Sequence, residues 1–289
     1  MDQLRTLIAG AVRGRVVGPD GLDRQRAIFE TDGPRWFAPG SPIYRVHGDA
    51  SMFIGGLRAL LLQSLHPLAM AGVAQHSDYK ADPWGRLQRT ADFLAATTFG
   101  PEDQAVAACA RVRAVHRRVQ GVASDGRPYS ANDPHLLRWV HVCEVDSFLV
   151  AHDRYGASRL GARQRDRYVH DMARIAGELG VPDPPLDVAS LQRTLGSYRH
   201  ELRGTLEARE AARFLLAPPL PPVAIAAYAV LASAAVGLLP VWTRRPLRLP
   251  FLPVAETVAV RPAGQLLMGV LRWAMSPDAR ARRAAVNAP

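Results

Sequence analysis

The chain has 289 residues, of which 48% are hydrophobic and 21% are charged. This balance is ordinary for a folded domain and excludes a disordered or low-complexity polymer. The formal net charge is +10, but Lys80 is the single lysine and the arginines are scattered among acidic residues, so we predict no nucleic-acid partner. The two cysteines are too few for a disulfide framework, and residues 1–17 lack the apolar core of a secretion signal. We therefore expect a cytoplasmic protein.

Apolar periodicity divides the chain into three parts. Residues 1–50 are rich in Gly, Pro and Arg and predict an irregular N-terminal arm with short helical pieces. Residues 51–275 predict one helical domain, and residues 276–289 predict a frayed tail that has no apolar face to bury. Strands alternating with helices are not indicated anywhere, so we predict an all-α, single-domain helical bundle.

Within this domain the helices are predicted from capping residues and from 3.6-residue spacing. The first begins at Ser51, is apolar nearly all round, and should be central, with a kink at Pro67. Asp-Pro pairs mark two later helix starts, at Pro83 and Pro134. The predicted helices cover residues 51–68, 83–99, 101–121, 134–153, 162–179 and 186–213.

Residues 214–243 contain no charged side chain and are followed by three arginines. Their length is sufficient to cross a bilayer. Prolines at both ends and an alanine-rich middle favour instead a helix that is buried or touches a membrane surface. We leave open a peripheral membrane contact through residues 214–243, with a cofactor-free membrane protein as one alternative.

His116 lies on the apolar stripe of the predicted helix 101–121, together with Cys109, Val112 and Val119. An imidazole in an apolar interior needs a hydrogen-bond acceptor, a carboxylate or a metal to compensate for its lost hydration. By spacing alone a hydrogen-bonded core histidine is the commoner outcome. His141, in the helix after Pro134, is predicted to hydrogen-bond a neighbouring helix.

A second constellation comprises Arg86, Arg89, Thr90 and Phe93, whose spacing places them on one side of a helix. Guanidinium groups can bind a carboxylate or a polar oxygen, and Thr90 adds a hydroxyl. The alternative is that these arginines pair with nearby aspartates on a solvated face. His76 could supply a proton donor or shuttle to the same pocket.

Five segments, taken in order, resemble the rubber-oxygenase (latex-clearing protein) and MpaB-type oxygenase family. They are Leu65-His66-Pro67, Gly72-Val73-Ala74-Gln75-His76-Ser77-Asp78, Pro83-x-x-Arg86-x-x-Arg89-Thr90, Val115-His116-Arg117-Arg118-Val119-x-Gly121 and Tyr129-Ser130-Ala131-Asn132-Asp133-Pro134. The resemblance implies a globin-like helical core that binds haem b, with His116 as the proximal iron ligand. It also assigns Arg86 and Thr90 to the pocket.

The chain departs from the family pattern at two places. Arg89 stands where the family has a lysine, and a guanidinium that stays protonated cannot coordinate iron. Ala69, Met70 and Ala71 occupy the pocket side of the long helix, where a carboxylate base would be expected. Cleavage of polyisoprene is therefore not carried over to this chain.

From these observations we predict a haem-b-dependent oxygenase that uses dioxygen or peroxide on a hydrophobic alkene, lipid or terpenoid-like substrate. His116 is the predicted metal ligand, and Arg86, Thr90 and His76 are the predicted catalytic residues. The predicted cofactor-binding residues are His116, Arg86, Arg89, Phe93 and Val112. The alternatives are a haem peroxidase, in which Arg86 and His76 polarise peroxide, and a protein that binds haem or lipid without turnover.

Overall fold

The computed structural model describes residues 21–77 and 80–276, together with positions 3, 5, 10 and 14. Nearly all regular structure in this part of the chain is helical, and its one sheet is a two-stranded hairpin, so the predicted all-α fold is confirmed. Most of the predicted arm before residue 21, and the predicted tail after residue 276, lie outside the described residues. The elements are α1 (Gly21–Phe29), α2 (Pro42–His47), α3 (Met52–Gln63), α4 (Pro67–His76), α5 (Pro83–Phe99), α6 (Glu102–His116), β1 (Gln120–Val122), β2 (Pro128–Ser130), α7 (Pro134–Tyr155), α8 (Ala162–Leu179), α9 (Val188–Ser197), a 3-10 turn (Tyr198–His200), α10 (Leu206–Leu216), α11 (Pro222–Leu238), α12 (Val241–Arg244), α13 (Pro253–Ala255), a π-helical turn (Glu256–Val260) and α14 (Arg261–Met275).

Helices α3 and α7 pack against each other at the centre of the molecule. As predicted, α3 is apolar on most of its surface, and Ile54, Leu61 and Leu62 are fully buried. Gly55 allows the two helices to approach closely, because a Cβ atom there would lie 3.0 Å from a ring carbon of Phe148 and 3.2 Å from its Cα. The other helices are arranged around this pair.

The prediction of one kinked helix through Pro67 is wrong, because α3 and α4 are separate helices bent by 107°. Proline cannot donate a backbone hydrogen bond and restricts the preceding residue, so His66 is extended at φ −84° and ψ 114°. The carbonyl of Leu65 accepts instead from the backbone N–H of Arg203, at 2.8 Å. The break places His66 immediately before α4 and His76 at its end.

Helix α5 begins where the sequence predicts. The Asp82 side chain accepts a hydrogen bond from the backbone N–H of Gly85, at 2.9 Å, and Pro83 occupies the first helical position. The carboxylate therefore satisfies one of the free N–H groups at the start of the helix.

Helix α6 ends at His116, so the prediction that it continues to Gly121 is wrong. The backbone beyond the helix finds partners in the hairpin, in which β1 pairs antiparallel with β2. The N–H of Ala131 also donates to the carbonyl of Val119, at 2.8 Å. His116 is consequently the last residue of its helix.

The starts and ends of α7 and α8 match the prediction within two residues, and Asp133 caps α7 by accepting from the N–H of His135 at 2.8 Å. The predicted single helix over residues 186–213 is wrong, because the chain forms α9, a 3-10 turn and α10. At the interruption, a Cβ atom on Gly204 would lie 2.0 Å from the carbonyl oxygen of Pro246. Tertiary packing therefore breaks this helix.

The uncharged segment 214–243 contains the end of α10, the whole of α11 and the start of α12. Helix α11 has 17 residues. Within the described residues, no single helix is both long enough and apolar enough to cross a bilayer, although α3 and α4 together meet that test of length and composition.

Candidate functional site

Helices α5 and α6 form a hairpin in which the predicted iron ligand, His116, and the predicted pocket residue Arg86 lie at similar distances from the connecting turn. The two helices pack along each other and are joined at Gly100 and Pro101. At a rise of 1.5 Å per residue, Arg86 and His116 each lie about 21 to 23 Å from this turn. Both residues are thus at the end of the hairpin opposite the turn.

The imidazole of His116 is partly buried and has no hydrogen-bond partner among the described residues. Burial decreases along the predicted stripe of α6, from fully buried Cys109 to partly buried Val112 and His116. Loss of hydration lowers the pKa of His116 below its usual value of 6.5, so the ring is neutral at pH 7. Across residues 21–77 and 80–276, no side chain or backbone group hydrogen-bonds this ring. A neutral imidazole in that state has a nitrogen lone pair free to bind a metal.

Arg86 is the partly buried arginine of the second constellation. Its Nη1 atom donates to the Oγ atom of Ser77, at 2.8 Å, which ties α5 to the end of α4. Arg89 is exposed and its Nη1 atom lies 3.3 Å from Asp82, in line with the alternative of a solvated ion pair. Thr90 is also exposed, and its hydroxyl donates to the carbonyl of Arg86 at 3.1 Å.

Phe93 contributes to the packing between α5 and α6. Its ring packs against a small apolar cluster formed by Ile28, Ala96 and Ala108, and also against the main core. Val112 is partly buried one turn before His116. The two predicted cofactor contacts are therefore apolar side chains on facing helices.

His76 lies at the surface, at the C-terminal end of α4. Its Nε2 atom is 3.1 Å from the hydroxyl of Tyr129, which donates to Oε1 of Gln75 at 2.6 Å. These bonds hold the β-hairpin against α4, and a Cβ atom on Gly121 would clash with the same hydroxyl at 2.7 Å. His76 could therefore transfer a proton to a substrate through Nε2 only after its hydrogen bond to the Tyr129 hydroxyl is broken.

Two polar side chains, His141 and Glu144, lie near the centre of the otherwise apolar helix α7. Burial raises the pKa of Glu144 to about 7, and the amide of Gln63 lies 3.5 Å from its Oε1 atom. His141 is buried one turn earlier, with its pKa lowered to about 4. The predicted hydrogen bond from His141 to a neighbouring helix is wrong, because its Nε2 atom has no partner within the described part of the chain.

The sequence interpretation missed a cluster of His66, His135 and Glu201. It lies beside a surface cavity of about 540 Å³ lined by Pro67, Glu201 and residues of the β-hairpin. The three residues are far apart in sequence and share no helical spacing, so only the folded chain reveals the cluster.

Comparisons with known proteins identify the family. The family model "ER-bound oxygenase mpaB/B'/Rubber oxygenase, catalytic domain" matches residues 44–273, which extend from α2 into α14. Two uncharacterized proteins, from Mycobacterium bovis and Mycobacterium tuberculosis, are each 33% identical over 111 residues, or 37% of this chain. The match spans 43% of the length of each relative. No solved structure is significantly similar to the chain. Because the family model covers most of its length, the chain belongs to the mpaB/rubber oxygenase catalytic-domain family.

Proposed function

We propose that the chain is a haem-b-dependent oxygenase that acts on a hydrophobic substrate and holds iron through His116. The observation that carries this proposal is the neutral, partly buried imidazole of His116, which has no partner among the described residues and lies level with Arg86. Membership of a family of oxygenase catalytic domains supports the reaction class.

The residues at the open end of the α5–α6 hairpin fit haem b chemically. A neutral imidazole is an ordinary axial ligand for haem iron. The propionate groups of haem are carboxylates, for which guanidinium groups are well matched donors. Arg86 is partly buried here, and Arg117 and Arg118 are exposed next to His116. The site thus offers both an iron ligand and cationic partners for the cofactor, which when bound supplies the activation of dioxygen.

The remaining side chains would position and shield the reactants. Arg86, whose Nη1 atom donates to Ser77, would bring a positive charge to a carboxylate or polar oxygen, and the Thr90 hydroxyl retains accepting capacity. Phe93 and Val112 present apolar surface to a hydrophobic alkene, lipid or terpenoid-like molecule. A guanidinium group offers donors but no acceptor, so Arg89 can bind an anionic group but not iron.

Oxygen consumption by the haem-loaded protein tests the reaction class. We expect uptake of dioxygen that depends on an unsaturated lipid or terpenoid and that falls sharply in Arg86→Gln. Turnover with hydrogen peroxide but none with dioxygen would contradict an oxygenase and favour a peroxidase. Stable haem binding without either reaction would favour a protein that only binds haem.

We also propose that the C-terminal helices rest on an anionic membrane surface. Large apolar side chains are exposed there, namely Val223, Ile225, Phe251, Leu252, Val254, Val258 and Leu266. Between residues 217 and 276 the sole acidic residue is Glu256, which pairs with Arg244, whereas Arg245 and Arg248 are exposed. Apolar area combined with net positive charge suits an anionic lipid surface.

Sedimentation with lipid vesicles tests this contact. We expect the chain to sediment with vesicles that contain phosphatidylserine, and much less with purely zwitterionic vesicles. The double variant Arg245→Glu/Arg248→Glu should lose this binding. Equal sedimentation of wild type and variant with anionic vesicles would contradict the proposal.

A further inference from the structure

Three separated segments bring two imidazoles and one carboxylate together beside α4. His66 immediately precedes α4, His135 is at the start of α7, and Glu201 follows the 3-10 turn. The Nε2 atom of His66 lies 3.3 Å from Oε2 of Glu201, and that of His135 lies 2.9 and 3.0 Å from the two carboxylate oxygens. One ligand atom from each residue lies within 4.8 Å of the other two.

We propose that His66, His135 and Glu201 bind one divalent metal ion of the zinc class. Two imidazoles and a carboxylate are a common ligand set for Zn²⁺. With bonds of about 2.0 to 2.1 Å at tetrahedral angles, the ligand atoms would be about 3.3 Å apart. The observed separations of 2.9 to 3.3 Å from the Glu201 oxygens are close to this value. The two histidine–carboxylate separations would therefore change little on binding, and the two imidazoles start within 4.8 Å of each other.

The surrounding residues hold the two histidines in place. The imidazole of His66 is 1% exposed, and its ring lies against Trp139, with ring centroids 6.2 Å apart. The ring of Tyr198 packs on that of His135 at 4.5 Å, and its hydroxyl donates to the His135 carbonyl at 2.8 Å. Rigid ligands lose little conformational freedom when a metal binds.

Glu201 connects the cluster to the cavity of about 540 Å³, which it lines together with Arg203. An ion can enter from the cavity, and a water molecule or substrate can fill its fourth position. Arg127 also lines the cavity, but its charge is balanced by Asp125, whose Oδ2 atom lies 2.7 Å from Nη2.

The surroundings of the second ring nitrogen of His66 indicate how tightly the metal would bind. Its Nδ1 atom is buried and has no hydrogen-bond partner in the described part of the chain. A metal-bound imidazole usually donates this N–H to an acceptor, and the loss of such a partner costs roughly 10- to 100-fold in affinity. We therefore expect binding that is specific but weaker than in closed structural zinc sites.

This site is separate from the proposed haem site. His66 and His76 mark opposite ends of α4, about 15 Å apart along its axis, and the α5–α6 hairpin contributes no ligand to the cluster. A failure of haem binding would consequently leave the metal proposal standing, and the reverse also holds.

Cobalt retention provides the test. The untagged chain is stripped with chelator, incubated with Co²⁺ and desalted, and cobalt and iron are measured separately by elemental analysis. We expect about one Co²⁺ per chain and, with the metal at roughly 100 times its Kd, a rise in Tm of about 5 °C. Retention of cobalt at less than a tenth of this level by wild type would overturn the proposal.

Variants identify the ligands. Because His66 is buried and its replacement could disturb folding, the main variants are Glu201→Gln and His135→Asn, each checked by circular dichroism. Both should lose at least tenfold in cobalt retention, and both should lose the Tm shift. The control is His170→Asn, which changes an exposed histidine on α8 and should retain the metal. Retention in Glu201→Gln and His135→Asn equal to that of wild type would show that these residues do not bind the metal.

Discussion

Replacing Asp146 by alanine should destabilise the fold strongly, because it leaves a buried guanidinium without its counter-charge. The side chains of Arg58 and Asp146 are 3% and 4% exposed, and their N–O distance is 2.7 Å. Arg58 also donates to the hydroxyl of Ser147 at 2.6 Å and to the carbonyl of Leu238 at 2.9 Å. Gln192 donates to the second carboxylate oxygen of Asp146 at 2.6 Å. The network joins α3, α7, α9 and α11.

The expected cost of Asp146→Ala is about 3 to 5 kcal/mol, since breaking a buried ion pair strands one charge in the interior. The neutral acceptors that remain around Arg58 do not replace the carboxylate charge. An exposed pair gives the comparison: the charged atoms of Lys80 and Glu210 are 3.0 Å apart, and about half of each side chain is in solvent. Loss of that pair should cost less than about 1 kcal/mol.

Urea unfolding followed by circular dichroism measures both losses. The double variant Arg58→Met/Asp146→Leu should recover much of the stability lost in Asp146→Ala, because it leaves no unpaired charge. A loss below about 1 kcal/mol for Asp146→Ala, or a double variant no more stable than the single one, would refute the reasoning.

Three further predictions concern the contact between α3 and α7, the carboxyl of Glu144 and the guanidinium of Arg86. Gly55→Ala should lower the free energy of unfolding in urea by about 1 to 3 kcal/mol, because the new Cβ atom meets α7. The control Gly56→Ala should be neutral or stabilising, because no atom lies within 4 Å of its new Cβ atom. Equal effects of the two changes would contradict the close helix contact. The stability of Glu144→Gln relative to wild type should increase as the pH rises from 5 to 8. The pKa of the Glu144 carboxyl is about 4.5 in the unfolded chain and about 7 in the folded one, so ionisation between these values destabilises the folded wild type. A stability difference that does not depend on pH would contradict this. Arg86→Gln in the haem-loaded protein should lower substrate-dependent oxygen uptake about a hundredfold, and the loss of its bond to Ser77 should cost about 1 kcal/mol in unfolding. Unaltered uptake would remove Arg86 from the site.

Local sequence signals predicted those helices whose ends are determined by neighbouring residues. Asp82 and Asp133 cap α5 and α7 through backbone N–H groups two or three residues away, so each start could be identified from an Asp-Pro pair. Helix α8 has the predicted bounds, residues 162–179. The residue that follows it is Gly180 with φ 92°, a conformation that glycine adopts readily.

The errors arise where distant residues determine the backbone. Helix α6 stops at His116 because residues 120–122 pair with residues 128–130, a contact that helical periodicity does not encode. The helix predicted over residues 186–213 breaks where Gly204 packs against Pro246. In each case a tertiary partner outweighs local propensity.

The candidate site could be predicted in part, because some of its residues follow local helical patterns and others depend on distant contacts. The sequence predicted that His116 lies on the apolar stripe of α6 and that Arg86 shares a face of α5 with Thr90 and Phe93, since both patterns are local. The exposure of Arg89 and the bond between His76 and Tyr129 depend on how α4, α5 and the β-hairpin meet. Those contacts needed the folded structure.

An absorption spectrum of the purified chain supplied with haem tests the central claim most directly. Wild type should show an intense Soret band, His116→Ala should lose it while keeping its helical circular dichroism, and His170→Ala, changed at an exposed position on α8, should keep it. A wild-type chain that stays colourless after haem is supplied, or a His116→Ala variant with an unchanged Soret band and haem affinity, would contradict the account.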